Sequence, residues 1–106
     1  MVLGVSINIK ELYKGEKRFI SFEVRRRKSI DFDVDSVYCK VIDKEGNLLE
    51  EGSGSIDGKE VYYFLDTSQA HFEENKIYLV CFQVEIVGMP KLLFENAEVK
   101  IKSRPC

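Results

Sequence analysis

Three observations predict an all-β fold. In the last third, Tyr78, Val80, Phe82, Val84 and Ile86 form one apolar row at period two. Val87-Gly88-Met89-Pro90-Lys91 follows, and a second row runs through Leu93, Ala97, Val99 and Ile101. Two alternating runs joined by a Gly/Pro turn read as a β-hairpin. Shorter alternating runs recur upstream, with turn signals about every ten residues. No segment carries a long helical period.

The elements follow in order. Val2 to Ile9 alternates, with Val5, Ile7 and Ile9 on one face, and reads as a first strand. Leu12-Tyr13-Lys14-Gly15-Glu16 reads as a turn. Arg18 to Arg25 is a second strand, with Ile20, Phe22 and Val24 inward. Ser36 to Asp43 is a third, with Val37, Cys39 and Val41 on one face and Tyr38, Lys40 and Ile42 on the other. Asp43-Lys44-Glu45-Gly46-Asn47 is a turn whose glycine suits positive φ. Leu48 to Ser55 holds two glutamates and two glycines and reads as an edge strand. Asp57-Gly58 signals a hairpin into a strand over Glu60 to Asp66. Asp66 to Asn75 breaks the pattern. Asp66 to Ser68 offers helix-capping chemistry, Gln69 to Glu74 suits one helical turn, and Phe72 would pin this crossover to the core.

About seven antiparallel strands without a long helix match the profile of an immunoglobulin-like β-sandwich, with a small barrel as the alternative. The closing hairpin then supplies the central pair of the second sheet. Tyr78 falls where such folds carry a tyrosine-corner residue. The antibody signature is absent: there is no Trp, and Cys81 has the opposite parity to the Tyr78–Ile86 row. A Cys39–Cys81 disulfide is therefore not expected. Cys39 and Cys81 read as free thiols in strands, and Cys106 as an exposed terminal thiol.

The 106 residues suit one domain spanning 1–106, able to bury a core without metal or disulfide. Sixteen basic and eighteen acidic residues leave a net charge of −2, which argues against nonspecific nucleic-acid binding. Met1 to Ile9 lacks the marks of a signal peptide, and no apolar run is long enough to span a bilayer. Synthesis in the cytoplasm, without membrane contact, is the expectation.

Catalytic chemistry is sparse. His71 is the only histidine and falls in a predicted loop, where it reads as exposed. A hydrolytic site would have to join it to Cys81 or Ser68, and neither carries a nucleophile motif. Cys39, Cys81, Cys106 and His71 lack the paired spacing of a zinc site. Glu50-Glu51 and Glu73-Glu74 are adjacent pairs, which on a strand point to opposite faces. Arg25-Arg26-Arg27-Lys28 followed by Asp31, Asp33 and Asp35 reads as a charge-compensated loop. The aspartate spacing invites a calcium reading, but Ser36 and Ile42 stand where an EF-hand needs Gly and Glu. No enzyme activity, cofactor or metal is expected.

The aromatic surplus is the other signal. Phe19, Phe94 and one of Tyr62 or Phe64 have parities opposite to the core, and Leu79, Cys81, Gln83 and Glu85 form a half-apolar outward row. Tyr62, Phe64, Leu79, Cys81, Gln83 and Phe94 are thus the candidate interface, for a protein partner, for self-association or for carbohydrate.

From about Tyr13 to Ile101 the order of elements carries a family resemblance. It comprises a Gly turn, the strand Phe19 to Val24, the Ser29-Ile30-Asp31-Phe32 segment and a strand ending in Ile42-Asp43-Lys44-Glu45-Gly46-Asn47. A strand ending near Asp66 follows, and Lys76-Ile77-Tyr78 opens the long hairpin. This resembles the small Ig-like domain of phage baseplate upper proteins and related tail-associated modules. Their sixth strand opens with Gly-x-Tyr; here Asn75 or Lys76 stands in place of that Gly. The resemblance implies a virion or assembly module, with no catalytic residues to carry over.

Overall fold

A computed structural model describes residues 9–24, 33–88 and 92–103. They form eight strands: β1 (Ile9–Tyr13), β2 (Lys17–Glu23), β3 (Val34–Ile42), β4 (Leu48–Ser53), β5 (Ser55–Asp57), β6 (Glu60–Asp66), β7 (Ile77–Ile86) and β8 (Leu92–Lys102). One sheet has the order β1-β8-β7-β3-β4 and the other β2-β6-β5. The fold is all-β, and no helix of the described residues is long and apolar enough to cross a membrane.

The alternation of β7 sets the core. Tyr78, Val80, Phe82, Val84 and Ile86 are buried, joined by Val37, Cys39 and Val41 of β3 and Leu93, Val99 and Ile101 of β8. Ile20, Val61 and Leu65 face them from the smaller sheet. Phe22 and Phe82 meet edge to face across the gap, centroids 4.9 Å apart. Such a pair adds about 0.5–1.5 kcal/mol beyond its buried area. Two apolar sheet faces that cover each other in this way make a sandwich. As expected, β7 and β8 are interior neighbours of the larger sheet.

The structure corrects several sequence expectations. Leu12 and Tyr13 belong to β1, not to the turn, and β1 runs parallel to β8, with Leu12 opposite Ile101. The strand expected over Val2 to Ile9 otherwise lies outside the described residues.

The run from Leu48 to Ser55 is two strands rather than one. β4 pairs with β3, whereas β5 pairs with β6 in the other sheet. Gly54 is the crossing point and donates its N–H to Val37 O at 2.9 Å. A Cβ there would lie 2.6 Å from Tyr62 O and 2.8 Å from Val37 Cγ1, so only glycine fits.

The β6–β7 link holds turns in place of the expected helical turn. Its polar groups are spent elsewhere. Asp66 Oδ1 accepts from Ser68 N at 3.0 Å and Ser68 Oγ at 2.5 Å. Lys14 Nζ donates to Gln69 O at 2.8 Å and Phe72 O at 2.5 Å. Buried Thr67 donates its hydroxyl to Glu16 O at 2.6 Å. Phe72 does pin the link to the core, 1% exposed.

Candidate interaction surfaces and the Tyr63–Glu50–His71 cluster

His71 is half-buried and bonded, which corrects the exposed-loop expectation. Its Nε2 lies 2.7 Å from Glu50 Oε2, and the Tyr63 hydroxyl donates to Glu50 Oε1 at 2.7 Å. Register explains the meeting. Glu50 stands opposite inward-facing Val41, so it points into the gap at the β4 edge. Tyr63 reaches it from β6, and His71 comes from the link, its ring 4.4 Å from Phe72. Burial, and then the bond to Glu50, push the Tyr63 hydroxyl well above its ordinary pKa. Both Glu50 oxygens are occupied, and the cluster ties two sheets and a link together.

The nucleophiles weighed with His71 lie elsewhere. Cys81 stands opposite Lys40 on the outer face of the sheet whose inner side holds Glu50. Ser68 Oγ is bonded to Asp66. The two strand cysteines are free thiols on opposite faces of one sheet, as their parity requires. A cleft of about 500 Å³ runs beside His71, between the β3–β4 turn and the link. Its walls mix Asp43, Glu45 and Glu73 with Lys44 and Lys76. Asp43 is committed to its own turn: Oδ1 accepts from Glu45 N at 3.0 Å and Asn47 N at 2.9 Å. The backbone N–H of Asn47 leads in holding this carboxyl below the usual carboxylate range.

Among the described residues, no group of three His, Cys, Asp or Glu side chains is arranged to hold a metal. Asp33 and Asp35 are exposed, and Asp31 lies outside the described residues. The basic run Arg25 to Lys28 lies outside them too.

Tyr78 ties the link to the start of β7. It is 2% exposed, and its hydroxyl accepts from Glu73 N at 2.7 Å, five residues upstream. Asn75, just before β7, has φ 63°. Asparagine is among the few non-glycine residues that take this conformation readily.

The six candidate interface residues separate onto two faces. Tyr62 and Phe64 lie on the outer face of the smaller sheet, with Phe19 opposite Phe64. The Phe19 ring is 5.2 Å from Phe64 and 6.3 Å from Tyr62, both edge-on. Phe19 is 59% and Phe64 49% exposed. Leu79, Cys81 and Gln83 lie on the outer face of the larger sheet, where Phe94 pairs with Gln83. Tyr38, Lys40 and Ile42 of β3 complete that face on the other side of β7. Glu50 and Tyr63 are the residues that sequence reasoning did not join to His71. They lie 21 and 8 positions from it, and no motif spacing links them. Compared with protein-family models and with curated protein sequences, the chain matches none.

Proposed function

We propose that the protein is a non-enzymatic assembly module that makes protein–protein contacts through the outer faces of an immunoglobulin-like sandwich. The strand order supports the immunoglobulin-like reading. With β2 to β8 taken as strands B, C, C′, D, E, F and G, the sheets become B-E-D and G-F-C-C′. The Tyr78 hydroxyl bond supports it further. The parallel β1 is then an added edge on the last strand.

One observation carries the assembly reading. Apolar side chains continue across the outer face of the larger sheet, through Phe94, Leu79, Cys81, Tyr38 and Ile42, on a layer that needs none of them for its core. Apolar area of this kind, set among polar residues, marks contact sites. The phage setting rests on the family resemblance in the order of elements, and places the working module in a virion. Static light scattering and pull-downs test the reading. A strict monomer that retains no partner counts against it.

The Phe19–Tyr62–Phe64 cluster favours a second reading, a carbohydrate-binding face, because exposed rings offer apolar surfaces to sugars. A glycan array without hits removes it.

A further inference from the structure

We infer that the outer face of the five-stranded sheet is occupied by a second copy of this chain, in a two-fold dimer with β7 lying against β7. This rests on the assembly reading above and names its partner.

Size favours a second copy on this face. Strands about 4.8 Å apart and rises of about 3.3 Å per residue make the larger face roughly 24 by 30 Å, on the order of 700 Å². A stable interface takes about 800 Å² from each partner, so this face is near the required size. The outer face of β2, β6 and β5 is on the order of 300 Å² by the same spacings, too small for a stable dimer.

Charge points the same way. The larger face mixes Lys40, Lys100 and Lys102 with Glu11, Glu51, Glu85 and Glu98. Glu11 and Lys102 already pair within the sheet. Around Phe19 and Phe64 the charges are mainly acidic: Glu23, Asp57, Glu60 and Asp66 against Lys17. Two copies meeting there would set acid against acid, which costs affinity.

Register then selects the axis. A two-fold interface is self-complementary: if residue i meets residue j of the partner, j meets i. β8 and β3 flank β7. A two-fold axis along β7 therefore lays β8 over the partner's β3. Phe94, Gln83 and Tyr38 share one cross-strand row, so Phe94 meets the partner's Tyr38. Leu79, Cys81, Gln83 and Glu85 each meet their own copy. A two-fold axis across the strands through Cys81 would instead set Lys40 on Lys40, since these two residues are cross-strand partners. The axis along β7 replaces that central Lys40 contact with Glu85 on Glu85 near the exposed end of the strand, and joins the apolar positions.

Self-opposition at Gln83 gives a charge-swap experiment. Gln83 is already polar and points outward, so Gln83→Arg and Gln83→Glu are compatible with folding, which circular dichroism checks. In sedimentation equilibrium the wild-type chain is expected to dimerise. Each variant alone should weaken the dimer at least about tenfold, and an equimolar mixture of the two should restore it. Phe64→Ser, on the other face, should leave the dimer unchanged. In a Cys106→Ser background a short bis-maleimide should link two chains through Cys81, and Cys81→Ser should abolish the link. A wild-type monomer at about 100 μM overturns the inference. So does a dimer that survives both Gln83 variants, or that Phe64→Ser dissolves. If the monomer retains a different protein and Leu79→Glu releases it, the self-pairing fails and the assembly reading stands. If no substitution on either face changes any association, both fail.

Discussion

Tyr63 and Glu50 belong to opposite sheets, and the Tyr63 hydroxyl donates to Glu50 Oε1 at 2.7 Å. The second carboxylate oxygen lies 2.7 Å from His71 Nε2. Glu50 is thus a polar bridge at the side of an otherwise apolar gap. Removing it leaves the half-buried Tyr63 hydroxyl without its acceptor and frees the link at His71. Glu50→Ala should cost about 1–3 kcal/mol in urea unfolding, and Glu50→Gln less, because an amide oxygen can still accept from Tyr63. A loss below about 0.5 kcal/mol, the range of an ordinary surface substitution, would show that the bridge does not hold the sheets together.

Asn75 is the hinge into β7. Its φ of 63° aims its N–H at Ile101 O, 2.6 Å away, while Ile101 N donates to Lys76 O at 2.9 Å. Glycine adopts this backbone conformation freely, and asparagine is among the few other residues that take it readily. Asn75→Gly should therefore be close to neutral. Asn75→Val must force a β-branched residue into the left-handed region, at about 1–2 kcal/mol. Equal melting temperatures for Asn75→Val and the wild type would contradict this account.

The legible parts of the fold were those in which each residue's side is fixed by its neighbours. β7 and β8 alternate over ten and eleven residues, so a one-residue slip would turn the whole row out of the core. The outer faces were legible for the same reason, since the outward row is the complement of the inward one. β1 was not legible. In its described side chains only Leu12 is buried, which leaves little pattern to read. The division at Gly54 was hidden because strand propensity does not say which sheet a strand joins. The link carried a real helix signal, but Lys14 and Glu16, more than fifty positions away, bind its backbone and side chains. The Tyr63–Glu50–His71 cluster arises from tertiary contacts that no local spacing encodes.

Glu95 is the anomaly in the core-facing row. It lies between Leu93 and Ala97 on the inward side of β8, opposite Phe82. Burial pushes its carboxyl above the ordinary 4.5, opposed by a bond from the Asn96 backbone. A raised pKa means that the folded state holds the proton more tightly than the unfolded chain. Below the ordinary value both states are protonated and nothing is lost. As pH rises through the window just above 4.5, the unfolded chain releases its proton first and stability falls. Glu95→Gln should therefore be more stable than the wild type at pH 7, with the gap closing toward pH 4. Thermal melts at both values check it. A variant less stable at pH 7 would show that the carboxylate has a stabilising partner.

The two strand thiols should differ in reactivity, because neighbouring strands place them on opposite sides of one sheet. Cys39 is fully buried, and desolvation, reinforced by Cys81, pushes its thiol up to about 12. Only the thiolate is a nucleophile, so a thiol so perturbed is inert at neutral pH. Cys81 is also raised by burial, but its outer position is half-open and Lys40 opposes the shift. In a Cys106→Ser background, at a concentration low enough to keep the chain monomeric, iodoacetamide at pH 8 should therefore alkylate Cys81 first. Cys39 should react only as the protein unfolds, with a rate that follows urea concentration. Peptide mass mapping over time separates the two sites. Equal rates in the folded protein would mean that Cys39 is not sealed between the sheets, and the packing of Val37, Cys39 and Val41 against the smaller sheet would have to be redrawn.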